Sequence, residues 1–148
     1  MPHAGLMNEA ALGPLEGPLQ RARLHVRGGR RRLRQGKVSA GIATLYDALS
    51  AAMQWFIASP EQKKKLTIFP GEDLNNDRIA YRILVRSGAL DGTFDFDGFD
   101  RLVEHALDHE MPGFDAGEVL AGIESVMTQL GVMPFDEASL PPEDPGTF

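Results

Sequence analysis

The stretch from Val38 to Ala58 reads VSAGIATLYDALSAAMQWFIA and carries a single charged residue, Asp47. Large apolar side chains fall at Val38, Ile42, Leu45, Leu49, Met53 and Phe56. That spacing of three and four places them on one face of a helix. The other faces carry mostly Ala, Gly, Ser and Thr, and a helix with so little charge around its circumference is a buried one. The stretch therefore predicts the central helix of an all-α bundle, with other helices packed on several sides.

The flanking sequence supplies about five main helices in total. A first helix is predicted over Pro18–Gln35, with an apolar seam at Leu19, Ala22, Val26, Gly29 and Leu33. Gly28-Gly29 inside it marks either a weak, bent helix or a close helix–helix crossing at Gly29. Gly36 is placed to end that helix and to start an αα-hairpin. Ser59-Pro60-Glu61-Gln62 has the form of a capping box and opens a short helix to about Leu66. A helix follows over Asp73–Ser87, with Ile79, Ala80, Ile83 and Leu84 inward and Gly88 closing it. The acidic turn DGTFDFDG leads into a helix with Phe99, Leu102, Val103, Ala106 and Leu107 inward. Asp115 and Glu118 form a second box and open a last helix with Val119, Leu120, Ile123, Val126, Met127 and Leu130 inward, ended by Gly131. Residues 1–14 are expected to be a mobile arm, 15–131 a single domain, and 132–148 an acidic Pro-rich tail with little regular structure.

The chain holds 148 residues, no cysteine and a net charge of −6. A chain of this length can bury one substantial core. Without cysteine there is no disulfide, thiolate metal site or Cys nucleophile. No apolar run reaches the ~20 residues of a membrane helix, and no secretory signal is evident. The expectation is a cytoplasmic bacterial protein with no membrane contact and no cofactor. The net charge conceals an asymmetry. Residues 1–86 sum to +7 and residues 87–148 to −13. Such a division points to an anionic partner for one half, or to the halves facing each other.

Leu33-Arg34-Gln35-Gly36, Ala40, Ala43 and Leu45-Tyr46-Asp47-Ala48-Leu49 form a pattern that resembles the helical hairpin of HEPN domains, over roughly residues 18–58; tetratricopeptide-type hairpins share much of it. The resemblance implies a small all-α module, often dimeric. Some HEPN domains pair with nucleotidyltransferases, and others are metal-independent ribonucleases. The ribonucleases carry an Arg and a His with four to six residues between them. Here Arg21 and His25, and likewise Arg101 and His105, have three residues between them, and Arg101 and His109 have seven. That pattern is absent, so the resemblance implies the fold and a binding role and argues against nuclease activity.

Three sets of residues are candidates for chemistry. Arg23, Arg27, Arg30, Arg31 and Arg34 on the first helix, with Arg78, Arg82 and Arg86 beside Tyr81, form a surface for phosphate, because Arg forks grip phosphate oxygens. The competing reading is a solvated face balanced by the acidic half. Asp95, Asp97 and Glu104 fall on three positions of an EF-hand template that has Thr93 where Asp is required. His105 and His109, one turn apart, could share a metal, without the Glu of HExxH; a charged surface helix is the plainer reading. Trp55 and Phe56 are either core or an interface anchor. No serine-hydrolase elbow or phosphate loop appears. The function expected is that of a non-catalytic interaction module that self-associates or docks to a protein. Nucleotide or RNA binding through the first helix is the alternative, and metal binding a lesser one.

Overall fold

In the computed structural model, described here for residues 9–147, six α-helices follow one another with no strand among the described residues. They are α1 (Glu9–Arg34), α2 (Val38–Ala58), α3 (Pro60–Lys63), α4 (Asp77–Arg86), α5 (Phe96–Asp108) and α6 (Gly117–Leu130). Two 3₁₀ turns, Glu137–Ser139 and Pro145–Thr147, follow α6. The protein is an all-α bundle.

The near absence of charge in α2 has the predicted consequence: α2 touches every other α-helix. Gly41, Ile42, Thr44, Leu45, Ala48, Leu49, Ala51, Ala52 and Met53 are all buried. Burial thus extends beyond the stripe of large residues to the alanine faces. The small side chains let neighbours approach from several directions.

The α1–α2 hairpin is the main packing unit. Gly36, with φ 78°, lets the chain reverse. Lys37 N–H donates to Arg32 O and Gly36 N–H to Leu33 O, which satisfies carbonyls at the end of α1. Gly88 and Gly131 close α4 and α6 in the same manner. Of the two readings of Gly28-Gly29, the close crossing is the one observed. A Cβ on Gly29 would lie 2.7 Å from Leu45 Cδ2, and one on Gly41 would lie 2.7 Å from Leu33 Cδ2. Each glycine receives a leucine from the opposite helix.

Several expected boundaries move. α1 is already helical at Glu9 and breaks at Gly13 (φ 86°, ψ −179°), with Pro14 and Pro18 following inside the helix. The expected arm is therefore partly helical, and its residues 1–8 lie outside the described residues. The Ser59 side chain makes no capping hydrogen bond, and α3 stops at Lys63 rather than near Leu66. α4 starts at Asp77, not Asp73, because Asn76 caps it by accepting from Ile79 N–H. Asp115 accepts from Gly117 N–H across a turn, so α6 begins at Gly117 without the second box. In α5 the buried stripe is Phe96, Phe99, Val103 and Ala106. Leu107, expected inward, is 68% exposed. Position 107 lies on the same side of the helix, about 20° round from Phe96, but in the last turn before α5 ends at Asp108.

Candidate functional site

The arginines of α1 are the densest cationic feature, and the fold gives most of them internal acceptors. Arg23 Nε donates to Val132 O at 3.1 Å, and its guanidinium lies 5.5 Å from the Phe135 ring centroid. Arg27 Nη2 donates to Pro141 O at 2.7 Å. Arg31, only 8% exposed, pairs with Glu143 Oε1 at 2.9 Å and donates to Gln35 Oε1 at 3.0 Å. Arg30 forms a forked pair with Glu124 of α6. Arg32 donates to Thr44 Oγ1 at 3.2 Å. Burial, then the charge of Arg31, hold its guanidinium below the usual arginine range, against the opposing pull of Glu143. Arg34 is exposed, at the rim of a groove described below. His25, among these arginines, is 6% exposed and therefore buried.

The segment after α6 is thus laid against α1. Its carbonyls and Glu143 meet the cationic stripe, and the peptide bond between Met133 and Pro134 is cis. Of these contacts, Arg31–Glu143 joins a cation of the basic half to an acid of the acidic half. A phosphate approaching Arg23, Arg27, Arg30 or Arg31 would have to displace them.

The α4 arginines are engaged in the same way. Arg78 bridges Asp97 at 3.0 Å and Asp100 at 2.8 Å. Arg86 grips both oxygens of Glu72 at 2.7 Å, donates to Thr67 O at 2.8 Å and covers the Phe69 ring at 4.2 Å. Those hydrogen bonds, with one from Phe69 N–H, hold the Glu72 carboxyl down to about 2. Arg82 remains exposed. Tyr81, the aromatic beside these arginines, is buried: it stacks on Phe96 at 5.2 Å and donates to Phe94 O at 2.6 Å. Burial, then Asp91 and Asp95, push its phenol up.

The metal candidates do not converge. Asp95 caps α5 by accepting from Gly98 N–H at 2.9 Å, and Asp97 is bound to Arg78. Glu104 lines a separate polar cavity with Tyr46 and Asp77. The His105 and His109 rings stack 4.2 Å apart, and His109 Nδ1 lies 3.1 Å from His105 O. Among the described residues no group of three or more His, Asp or Glu is placed to hold a metal ion.

Trp55 and Phe56 are half-buried and pack against the core. The indole lies under the end of α6, where a Cβ on Gly131 would meet Trp55 Cη2 at 3.7 Å.

Two features escaped the sequence. Asp77 accepts from Tyr46 Oη at 2.9 Å and from Ser50 Oγ at 3.0 Å, tying α4 to α2. Burial, then Asp77, push the Tyr46 phenol above its ordinary range. A groove of about 530 Å³ opens where Leu33, Val38, Phe114 and Leu120 meet, with Arg30, Arg34 and Asp115 also lining it. Phe114 is 38% exposed there. Ser39 Oγ, donating to His109 O at 2.6 Å, holds the 109–117 connection against the start of α2. The exposed aromatic after Pro112-Gly113 was the available signal, but no local period joins it to α1 and α2.

Compared with known proteins, the chain matches no family model, no curated protein and no solved structure.

Proposed function

We propose that this chain is a non-catalytic all-α interaction module, working in the bacterial cytoplasm, that docks a protein partner or a second copy of itself. The observation that carries the reading is the groove of Leu33, Val38, Phe114 and Leu120. An apolar floor with an exposed aromatic and Arg at the rim is the make-up of an interface core. Among the described residues no helix is long and apolar enough to cross a membrane. The test is light scattering across a concentration series, together with co-purification from the native host, for wild type and Phe114→Asp. The expected result is an association that the variant loses while keeping its helical spectrum. A monomeric wild type with no Phe114-dependent partner would refute the reading.

The alternative, a HEPN-like nucleotide- or RNA-binding module, rests on the cations left exposed: Arg34, Lys63, Lys64, Lys65 and Arg82. The internal pairing of Arg23, Arg27, Arg30, Arg31, Arg78 and Arg86 weighs against it. Salt-sensitive anisotropy with labelled RNA separates the two.

A further inference from the structure

Arg23, Arg27 and Arg31 stand four residues apart, so their guanidinium groups form one stripe along α1 with a step of about 6 Å. Val132 O, Pro141 O and the Glu143 carboxylate accept from them in the same order. The chain from Val132 to Pro141 covers a single step of the stripe by folding through the 3₁₀ turn Glu137–Ser139, with Phe135 beside the Arg23 guanidinium, and from Pro141 to Glu143 the segment runs along the helix. Two of the three arginines grip main-chain carbonyls. From Pro141 to Glu143, two residues cover one step of the stripe, which is the reach of an extended chain. Pro141-Pro142 favours the extended form, since proline fixes φ and removes N–H donors.

The occupant's fit is incomplete. Arg27 Nε, midway along the stripe, is buried without a hydrogen-bond partner. Next to it, Gly28 leaves α1 notched where the carboxylate sits. A Cβ there would lie 3.0 Å from Arg32 Nη1 and 3.8 Å from Glu143 Oε1. Arg31, Arg32 and the notch make a cationic seat for one carboxylate, beside a donor that the chain's own segment leaves unmet.

We propose that the Arg23–Arg27–Arg31 stripe is a docking site for an acidic, proline-bearing segment of a partner protein, extended across Arg27 and Arg31, and that residues 133–146 of the chain occupy it in cis as a displaceable competitor while Val132 stays in the core. A peptide fits better than a nucleic acid because the acceptor on Arg27 is a peptide carbonyl and an aromatic side chain, Phe135, lies against Arg23. The site is separate from the Phe114 groove and stands or falls without it.

The probe is a fluorescein-labelled peptide of residues 133–146, MPFDEASLPPEDPG, read by anisotropy against the full chain. In wild type the cis segment, present at high effective concentration, holds the probe off. Glu143→Gln is expected to raise probe affinity at least tenfold, and adding Arg31→Gln to that variant is expected to abolish the gain. Phe114→Asp is expected to leave probe affinity unchanged. If Glu143→Gln misfolds, the unaltered ¹⁵N-labelled chain serves instead: saturating unlabelled peptide is expected to shift the amides of 137–146 to free-peptide positions. Equal probe affinity for wild type and a folded Glu143→Gln, or unmoved amides at saturation, would overturn the proposal. So would loss of probe binding in Phe114→Asp, or tighter binding of single-stranded RNA than of peptide by Glu143→Gln.

Discussion

Alanine at Gly29 tests the crossing on which the bundle rests. The new Cβ would stand 2.7 Å from Leu45 Cδ2, 3.0 Å from Leu45 Cγ and 3.5 Å from Gly41 O. Carbon atoms in ordinary contact sit at about 3.5–4.0 Å. Leu45 is fully buried, so it has no free rotamer to retreat into. Overpacking of this kind costs about 1–3 kcal/mol. Replacing Gly by Ala inside a helix returns about 1 kcal/mol of propensity. The two effects oppose each other, so the neighbouring Gly28→Ala is the control. It gains the same propensity but meets chiefly the flexible end of Arg32, at 3.0 Å. The difference between the two variants isolates the contact, and Gly29→Ala should be the less stable by about 1–3 kcal/mol. For a chain of this size that is about 2–4 °C in Tm per kcal/mol. Urea unfolding followed by circular dichroism and by Trp55 fluorescence measures it, with coincident curves checking two-state behaviour. A double variant with Leu45→Ala removes the obstruction, so Gly29→Ala should cost less in that background. Equal stability of the Gly28 and Gly29 variants would refute the close crossing.

Further outcomes follow from the ionisable groups and the surface. The folded protein holds the Glu72 carboxyl near 2, below its unfolded value near 4.5. Its contribution is present above the unfolded value and is lost as pH falls toward 2; melting curves should show wild type and Glu72→Gln converging across that window. Both tyrosines of the chain have raised phenol pKa values. Their contribution is present below about pH 10 and is lost as pH rises through the folded values. At pH 10 the native protein should show little phenolate absorbance, and the urea-unfolded chain about half of its maximum. Calcium or zinc should leave the melting temperature unchanged, and a rise of several degrees would mean that donors gather in a way the described residues do not show. Leu107→Lys should change stability by less than about 0.5 kcal/mol, since the side chain lies outside the core.

The sequence was informative wherever the cause is local. A charge-free run over Val38–Ala58 has to be buried whatever its neighbours are, and glycines at 36, 88 and 131 end helices through contacts within six residues. The helical count and the central place of α2 follow from those two causes. Boundaries set by competition between caps were less legible: Asn76 prevailed over Asp73, and Asp115 made a turn instead of a box.

The arginines mark the limit. A basic run reads the same whether it faces solvent, phosphate or the protein's own carbonyls, because the acceptors of Arg23, Arg27 and Arg31 lie 109 to 114 residues away along the chain. Leu107 shows a related limit: the period gives its face, but whether a neighbour covers that face in the last turn of α5 is fixed by tertiary packing. Periodicity and composition determined that the chain is a helical bundle around α2. Tertiary packing decided which cations are paired, which aromatics are exposed, and where an apolar groove opens, because those depend on contacts between residues the sequence keeps far apart.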